Sequence, residues 1–255
     1  MNPLKLVPYA LAGWLPGGRH HCTLCGYRVW RFMPYRSSSR EAGLMQVLDM
    51  VGSDTENFEC PRCGAHDRER HLLLYLRASG VLAELGGKAI LHFAPEKRLS
   101  RYVCAMGLGR YVPCDLFPQD PQVLRVDMLD MPFADGTFDV VIANHVLEHV
   151  DDDARGLAEI HRVLKRGGIA ILQTPYSGRL HRTWQDPGID TPAARLQAYG
   201  QEDHVRLFGR DLFDRIVAAG FASDVRRHAD LLADVDPVVA GVNAEEPFFL
   251  FRKRA

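Results

Sequence analysis

From about residue 88 onward the chain alternates short apolar runs with amphipathic segments, and no other feature constrains the fold as strongly. Residues 89–93, after Gly86 and Gly87, predict a buried strand. Residues 96–106 predict a helix with Leu99, Tyr102 and Val103 along one face. Residues 111–114 and 123–126 predict two more strands, the first irregular because of Pro113. Residues 138–143 predict a fourth, apolar on both faces as parallel strands are. Asp151, Asp152 and Asp153 then suit a helix start. Leu157, Ile160, Val163 and Leu164 form its inner face, and Lys165, Arg166, Gly167 and Gly168 predict its end. Residues 169–172, 211–219 and 247–251 predict a strand, a helix and a last strand. The expected fold class is α/β, a doubly wound and mainly parallel sheet. Such sheets bind ligands outside the carboxyl ends of their strands.

The first 80 residues have a different texture. Four of the six cysteines fall there in two C-x-x-C pairs, Cys22/Cys25 and Cys60/Cys63. Zinc takes four ligands tetrahedrally, and a C-x-x-C turn brings two thiolates to one ion. Gly26 and Gly64 follow the pairs, where a tight turn around a metal needs them. The 34 residues between Cys25 and Cys60 fit an inserted hairpin or loop. A four-thiolate site has no open position, so a structural zinc is expected. Two redox or free-thiol pairs are the alternative, and His20, His21, His66 or His71 could replace one cysteine. Cys104 and Cys114 read as buried, inert thiols. Arg19, Arg28, Arg31, Arg36 and Arg40 interleave with Tyr27, Trp30, Phe32 and Tyr35. That pattern suits either single-stranded nucleic acid or the packing of a small module. The patch from Arg36 through Ser37, Ser38 and Ser39 to Arg40 reads as an exposed turn or mobile loop.

Composition separates function classes. With 31 Lys and Arg against 32 Asp and Glu, the net charge of −1 argues against a general polyanion binder. The first 80 residues hold ten Lys and Arg against seven Asp and Glu, leaving a mildly acidic remainder. No apolar run is long enough for a membrane-spanning helix. Pro3, Pro8 and Pro16 interrupt the apolar start, which reads as mature protein rather than a signal peptide. A secreted disulfide framework would be shorter and denser in cysteine, so a cytoplasmic chain is expected.

Three stretches carry a family resemblance. One runs from Val126-Asp127-Met128 through Met131-Pro132-Phe133-Ala134-Asp135-Gly136-Thr137-Phe138-Asp139-Val140-Val141 to Leu147-Glu148-His149-Val150 and Arg162-Val163-Leu164-Lys165-Arg166-Gly167-Gly168. The others are His92-Phe93-Ala94-Pro95-Glu96 and Gly200 to Arg206 with Phe208, Gly209 and Asp211. Together they resemble class I S-adenosylmethionine-dependent methyltransferases of the small-molecule type, over residues 88–255. With Cys60-Pro61-Arg62-Cys63-Gly64, the whole chain resembles a bacterial group that joins a zinc-ribbon-like segment to this domain. The resemblance implies a Rossmann-like methyltransferase domain at 81–255 behind a zinc module and linking helix at 1–80. It implies S-adenosylmethionine as cofactor, held by His92, Phe93, Ala94, Glu96, Asp115, Leu116, Asp127, Met128, Asn144 and His145. Asp115 would take the ribose hydroxyls, Asp127 the adenine amino group, and Glu96 the ammonium group. The first motif departs from the usual Gly-x-Gly-x-Gly.

His145 and His204 are the candidate bases, with Tyr199 a positioning group and His149 a packing residue. The loop of residues 174–199 is long enough to cover an acceptor. His145 to His149 also matches H-x-x-E-H, a zinc-peptidase pattern that falls inside the methyltransferase signature. The expected reaction is methyl transfer to a small or sugar-containing acceptor, with O-methylation preferred. An RNA methyltransferase that grips RNA through its zinc module, and a non-catalytic binding protein, are the alternatives.

Overall fold

The computed structural model describes residues 7–35 and 43–254. The low-complexity patch from Arg36 to Arg40 lies outside them. Seven strands form the central sheet: β4 (Ala89–Phe93), β5 (Arg110–Asp115), β6 (Leu124–Arg125), β7 (Phe138–Ala143), β8 (Leu164–Ile171), β10 (Phe221–Ser223) and β11 (Leu250–Lys253). Their order is β10-β11-β8-β7-β4-β5-β6. Strands β6 to β8 pair in parallel around β4, and β11 runs antiparallel to both its neighbours. The sequence therefore places β4 and β7 side by side at the centre, where the strand order reverses and a crevice opens.

Alternation along the strands divides the core. Leu91, Phe93, Val141, Ala143, Ala170 and Leu172 face one side with Leu157, Ile160 and Val163 of α5 (Asp153–Val163). Ile90, Val140, Ile142, Ile169 and Ile171 face the other. There they meet Leu99 and Val103 of α4 (Lys97–Cys104), and Leu72, Leu73, Tyr75 and Leu76 of α3 (Asp67–Ala78). Side chains that alternate across a strand make both patterns from one apolar run.

Three boundaries differ from expectation. Helix α5 ends at Val163, because Leu164 turns extended (ψ 140°) and pairs with Phe138 as the first residue of β8. Lys165 and Arg166 thus lie on the strand, ahead of the left-handed Gly167 (φ 71°). The last strand begins at Leu250, since Phe248 is taken by a bridge to Arg226. Cys114 is buried as expected, but Cys104 is exposed, one position past the inward-facing Val103 on α4.

The region before α3 holds α1 (Val7–Ala12), the hairpin of β1 (His20–His21) and β2 (Arg28–Val29), α2 (Gly43–Val47), and β3 (Met50–Val51). Strand β3 pairs with β9 (Tyr176–Ser177), beyond the end of β8. The expected cover loop contains β9 and α6 (Pro192–Tyr199), which Thr191 caps and the left-handed Gly200 stops. Helix α7 (Leu212–Ala218) follows, then α8 (His228–Leu231) and α9 (Pro237–Ala240). No helix among the described residues is long and apolar enough to cross a membrane.

Candidate active site

The carboxyl ends of β4, β5, β6 and β7 floor a cavity of about 880 Å³. Seven of the residues expected to hold a cofactor line it: Phe93, Ala94, Asp115, Leu116, Asp127, Met128 and His145. Asp115 Oδ1 accepts the Phe117 N–H (2.8 Å) and Asp127 Oδ1 accepts the Leu129 N–H (2.8 Å). Each Asx turn fixes its carboxylate with one oxygen and leaves the other for a ligand. Met128 is buried beneath them.

The departure from the glycine-rich first motif has a backbone answer. Ala94 adopts a left-handed conformation (φ 45°) directly after β4, and its N–H donates to the Cys114 carbonyl (2.8 Å). Glycine reaches that conformation freely, whereas alanine does so at about 1–2 kcal/mol. The turn therefore keeps a glycine-like path without a glycine.

The side chains of His92, Glu96 and Asn144 lie outside the cavity lining and engage one another. His92 is fully buried, with Nδ1 2.9 Å from the Tyr111 hydroxyl and Nε2 3.2 Å from Glu96 Oε2. Asn144 Nδ2 donates to Glu96 Oε1 at 2.5 Å. Burial opposes the charge on Glu96, but the His92 hydrogen bond and the charges of His92 and Arg68 hold its pKa below the usual range. The carboxylate ties the ends of β4 and β7 to the start of α4 and has little left for an ammonium group.

The histidines divide into different roles. His145 is left-handed (φ 57°), with Nδ1 3.5 Å from Glu148 and Nε2 3.3 Å from Glu246. Burial disfavours its charge, but the two carboxylates prevail and raise its pKa to about 9. The two carboxylates thus favour the imidazolium form, which opposes a role as base. Glu246 also faces His71 Nδ1 (3.5 Å), and His71 Nε2 lies 2.9 Å from His228 Nδ1. His71 is thereby engaged away from the cysteines, and His20 Nδ1 lies 2.7 Å from the Val238 carbonyl. Nothing in the sequence spacing marks Glu246, 101 positions after His145, as its partner.

His204 lies behind the cavity wall, 5% exposed. Its Nδ1 is 3.1 Å from the Tyr199 carbonyl and must donate to it. Burial, opposed by Glu148, lowers its pKa. His149 lines the cavity instead, with Nδ1 3.2 Å from Asp203. Burial works against its charge, but Asp203 and Glu148 raise its pKa. Arg206 docks the segment of His204 onto the turn of Glu148 and His149, donating to the carbonyls of Leu147 (3.0 Å), Val150 and Asp151 (2.7 Å). The Val205 N–H adds a bond to the Glu148 carbonyl (3.0 Å).

The four paired cysteines converge, with their sulfurs within 4.8 Å of one another. The two knuckles match: the Gly26 N–H donates to Cys22 O (2.8 Å) and the Gly64 N–H to Cys60 O (2.9 Å). Both glycines are left-handed (φ 72° and 74°), as the turn requires. Arg70, fully buried, braces the second knuckle with bonds to the carbonyls of Ala65 (2.9 Å), Ala240 (3.1 Å) and Gly241 (2.6 Å). Arg98 Nε donates to Cys63 O (2.6 Å), tying the knuckle to α4.

The long spacing between the cysteine pairs also has a purpose in space. The insertion crosses the strand ends, held by the β3–β9 pairing and by Asn243 Nδ2 donating to Gly52 O (2.8 Å). Tyr35, Ser53, Thr55 and Phe58 from it, with His66 and Arg68 after the second knuckle, form the roof of the cavity. Tyr27, Phe32 and Trp14 stack with arginines of the chain itself: Arg62 lies over Trp14 (4.4 Å) and Tyr27 (3.3 Å), and Arg70 over Phe32 (3.8 Å).

The chain is similar to known proteins over part of its length. Residues 100–172 match the methyltransferase domain family. A "probable S-adenosylmethionine-dependent methyltransferase" of Mycobacterium tuberculosis is 32% identical over 120 residues, 45% of this chain and 39% of that one. The 2-phytyl-1,4-naphtoquinone methyltransferase of Nostoc punctiforme is 27% identical over 67% of this chain and 60% of its own. A ubiquinone/menaquinone biosynthesis C-methyltransferase of Desulfotalea psychrophila is 50% identical over 98 residues, 38% of this chain and 33% of that one. The chain thus spans about a third to three fifths of these relatives' lengths. Among solved structures, an S-adenosylmethionine dependent methyltransferase from Mesorhizobium loti aligns with 70% of this chain and 95% of its own, at 20% identity and a TM-score of 0.46. The residues that match the methyltransferase domain family lie in the mainly parallel α/β sheet described above.

Proposed function

We propose that this protein is an S-adenosylmethionine-dependent methyltransferase acting on a small or sugar-containing acceptor, most readily at oxygen, and that its four cysteines hold a structural zinc ion. The observation that carries the reading is the pair of turn-fixed carboxylates, Asp115 and Asp127, at the ends of adjacent strands in one cavity. Asp115 suits the two ribose hydroxyls and Asp127 the adenine amino group, with Met128 against the ring. S-adenosylmethionine supplies an electrophilic methyl group on a good leaving group, so the chain's task is proximity and alignment.

Glu59, Asp115, Asp127, Asp151 and Asp203 line the cavity and favour a cationic ligand. The His145 imidazolium, locked between Glu148 and Glu246, shapes the floor. An acceptor hydroxyl must lose its proton, and the cavity corner of His149 and Asp203 is where the chain can direct it. A volume near the upper end of ligand pockets, about 300–1,000 Å³, leaves room for an acceptor beneath the roof. The zinc reading rests on four converging cysteines with matched knuckles, a set that closes a tetrahedron and keeps the metal from the chemistry. Reduced thiolates suit the cytoplasm. We set the module boundary near residue 80, after the linking helix α3. The internal arginine–aromatic stacks favour packing over an RNA grip.

Calorimetric titration with S-adenosylhomocysteine tests the reading. Asp115→Ala should weaken binding by about 1–3 kcal/mol. Unchanged affinity in that variant would remove Asp115 from the ribose site, and no binding to the wild type at millimolar ligand would remove the cofactor altogether.

A further inference from the structure

We propose that Glu148, His149 and His204 form a second metal site, for a divalent transition-metal ion, at the corner of the cavity where the acceptor would lie. One ligand atom from each residue converges within 4.8 Å of the others. Glu148 is 2% exposed and His204 5%, whereas the His149 side chain is 32% exposed and lines the cavity. The site is therefore buried on the protein side and open on the cavity side.

The hydrogen bonds prepare these atoms for a metal. His204 Nδ1 donates to the Tyr199 carbonyl (3.1 Å), so its proton is on Nδ1 and Nε2 carries a lone pair. That Nε2 is enclosed and has no hydrogen-bond partner. A buried acceptor left unmatched is costly, by about 1–3 kcal/mol. His149 has the same arrangement, with Nδ1 toward Asp203 (3.2 Å) and Nε2 left over. Glu148 Oε2 accepts the Thr174 hydroxyl (2.7 Å). Imidazole ligands of metals characteristically donate their other N–H to a carboxylate or a backbone carbonyl, and both partner types are in place.

The constellation is not the peptidase motif that the sequence contains. The segment Leu147–His149 is a 3-10 turn, and His145 directs its nitrogens to Glu148 and Glu246. The second histidine comes from position 204, held beside the turn by Arg206 and the Val205 N–H. Two imidazoles and one carboxylate suit zinc, iron, cobalt or manganese better than magnesium or calcium. Three protein ligands with a free position toward a cavity are the pattern of reactive rather than structural sites. Such an ion would bind the acceptor oxygen and lower its pKa, so that the proton leaves to water before the oxygen attacks. That use rests on the methyl-transfer reading, whereas the site itself does not.

The test is a metal titration of the full chain with its four-cysteine site already loaded with zinc. Added Co²⁺ should bind at one further equivalent, with visible bands that lack thiolate charge transfer. His204→Ala and Glu148→Gln should abolish that equivalent and retain the cysteine-bound metal. Asp203→Asn guards against misfolding, because the Asp203 side chain is 70% exposed. It should weaken the second equivalent by about 10–100-fold with an unchanged melting temperature. Absence of a second equivalent in the wild type, or its full retention in all three variants, would overturn the site. If S-adenosylhomocysteine fails to bind the same preparation while Co²⁺ binds, the metal site stands and only its use in methyl transfer falls.

Discussion

Among the described residues, two clusters of side chains able to hold a metal ion contrast in almost every respect. Cys22, Cys25, Cys60 and Cys63 come from two local knuckles, are uniform in chemistry and enclose a point away from the cavity. Glu148, His149 and His204 come from a turn and a distant loop, mix nitrogen with oxygen and open on the cavity. The first cluster is made by short-range geometry and the second by the fold. Local spacing therefore reveals one of them in the sequence, and only tertiary structure reveals the other.

The contrast can be broken first at the cysteines. Cys60→Ser, or a strong chelator, should remove about one zinc per chain and unfold the module, since a structural metal is itself folding free energy, of order 10 kcal/mol in isolated zinc modules. Elemental analysis with thermal melting checks this. Unchanged metal content and melting temperature would deny the closed cluster its structural role.

A smaller effect concerns the strap between the two regions. Asp67 opens α3 and accepts the Asp54 N–H (2.6 Å), anchoring the roof. Burial, partly offset by Arg70, raises its pKa from 3.8 to about 7. The unfolded chain therefore ionises Asp67 first, and stability should fall as pH rises from about 4 to about 7 and then level off. Asp67→Asn should flatten that dependence and add up to about 4 kcal/mol above pH 7. Denaturant melts across this range measure it, and a variant with the wild-type slope would refute the assignment.

The smallest effect lies at the first strand end. Ala94→Gly should stabilise the fold by no more than about 1 kcal/mol, relief of the left-handed alanine being partly cancelled by the freer unfolded chain. Equilibrium denaturation of the pair decides it, and destabilisation would mean that the Ala94 methyl packs usefully.

Much of the sheet was legible because buried parallel strands must be apolar on both faces, as residues 89–93 and 138–143 are. Asp115, Asp127 and Met128 were legible because they end such strands. The helix after Asp153 was misjudged at its end because Leu164 satisfies both a helical face and a strand pair. Glu96 and His145 lie in the expected neighbourhood, with side-chain partners that the sequence does not name. Their roles depend on Tyr111, Arg68 and Glu246, whose proximity no spacing encodes. The 34-residue insertion reads as a hairpin or loop, since a roof differs from either only in what lies beneath it.

That roof is the central proposal: the four-cysteine module and the carboxyl ends of the central strands enclose one cavity, and the methyl donor binds there. Amide hydrogen exchange of the metal-loaded chain, with and without S-adenosylhomocysteine, tests it most directly. Protection should appear together at residues 94–97, 115–117 and 127–129 on the floor and at residues 53–58 in the roof. Protection confined to the floor, with the roof exchanging as in the free protein, would contradict it.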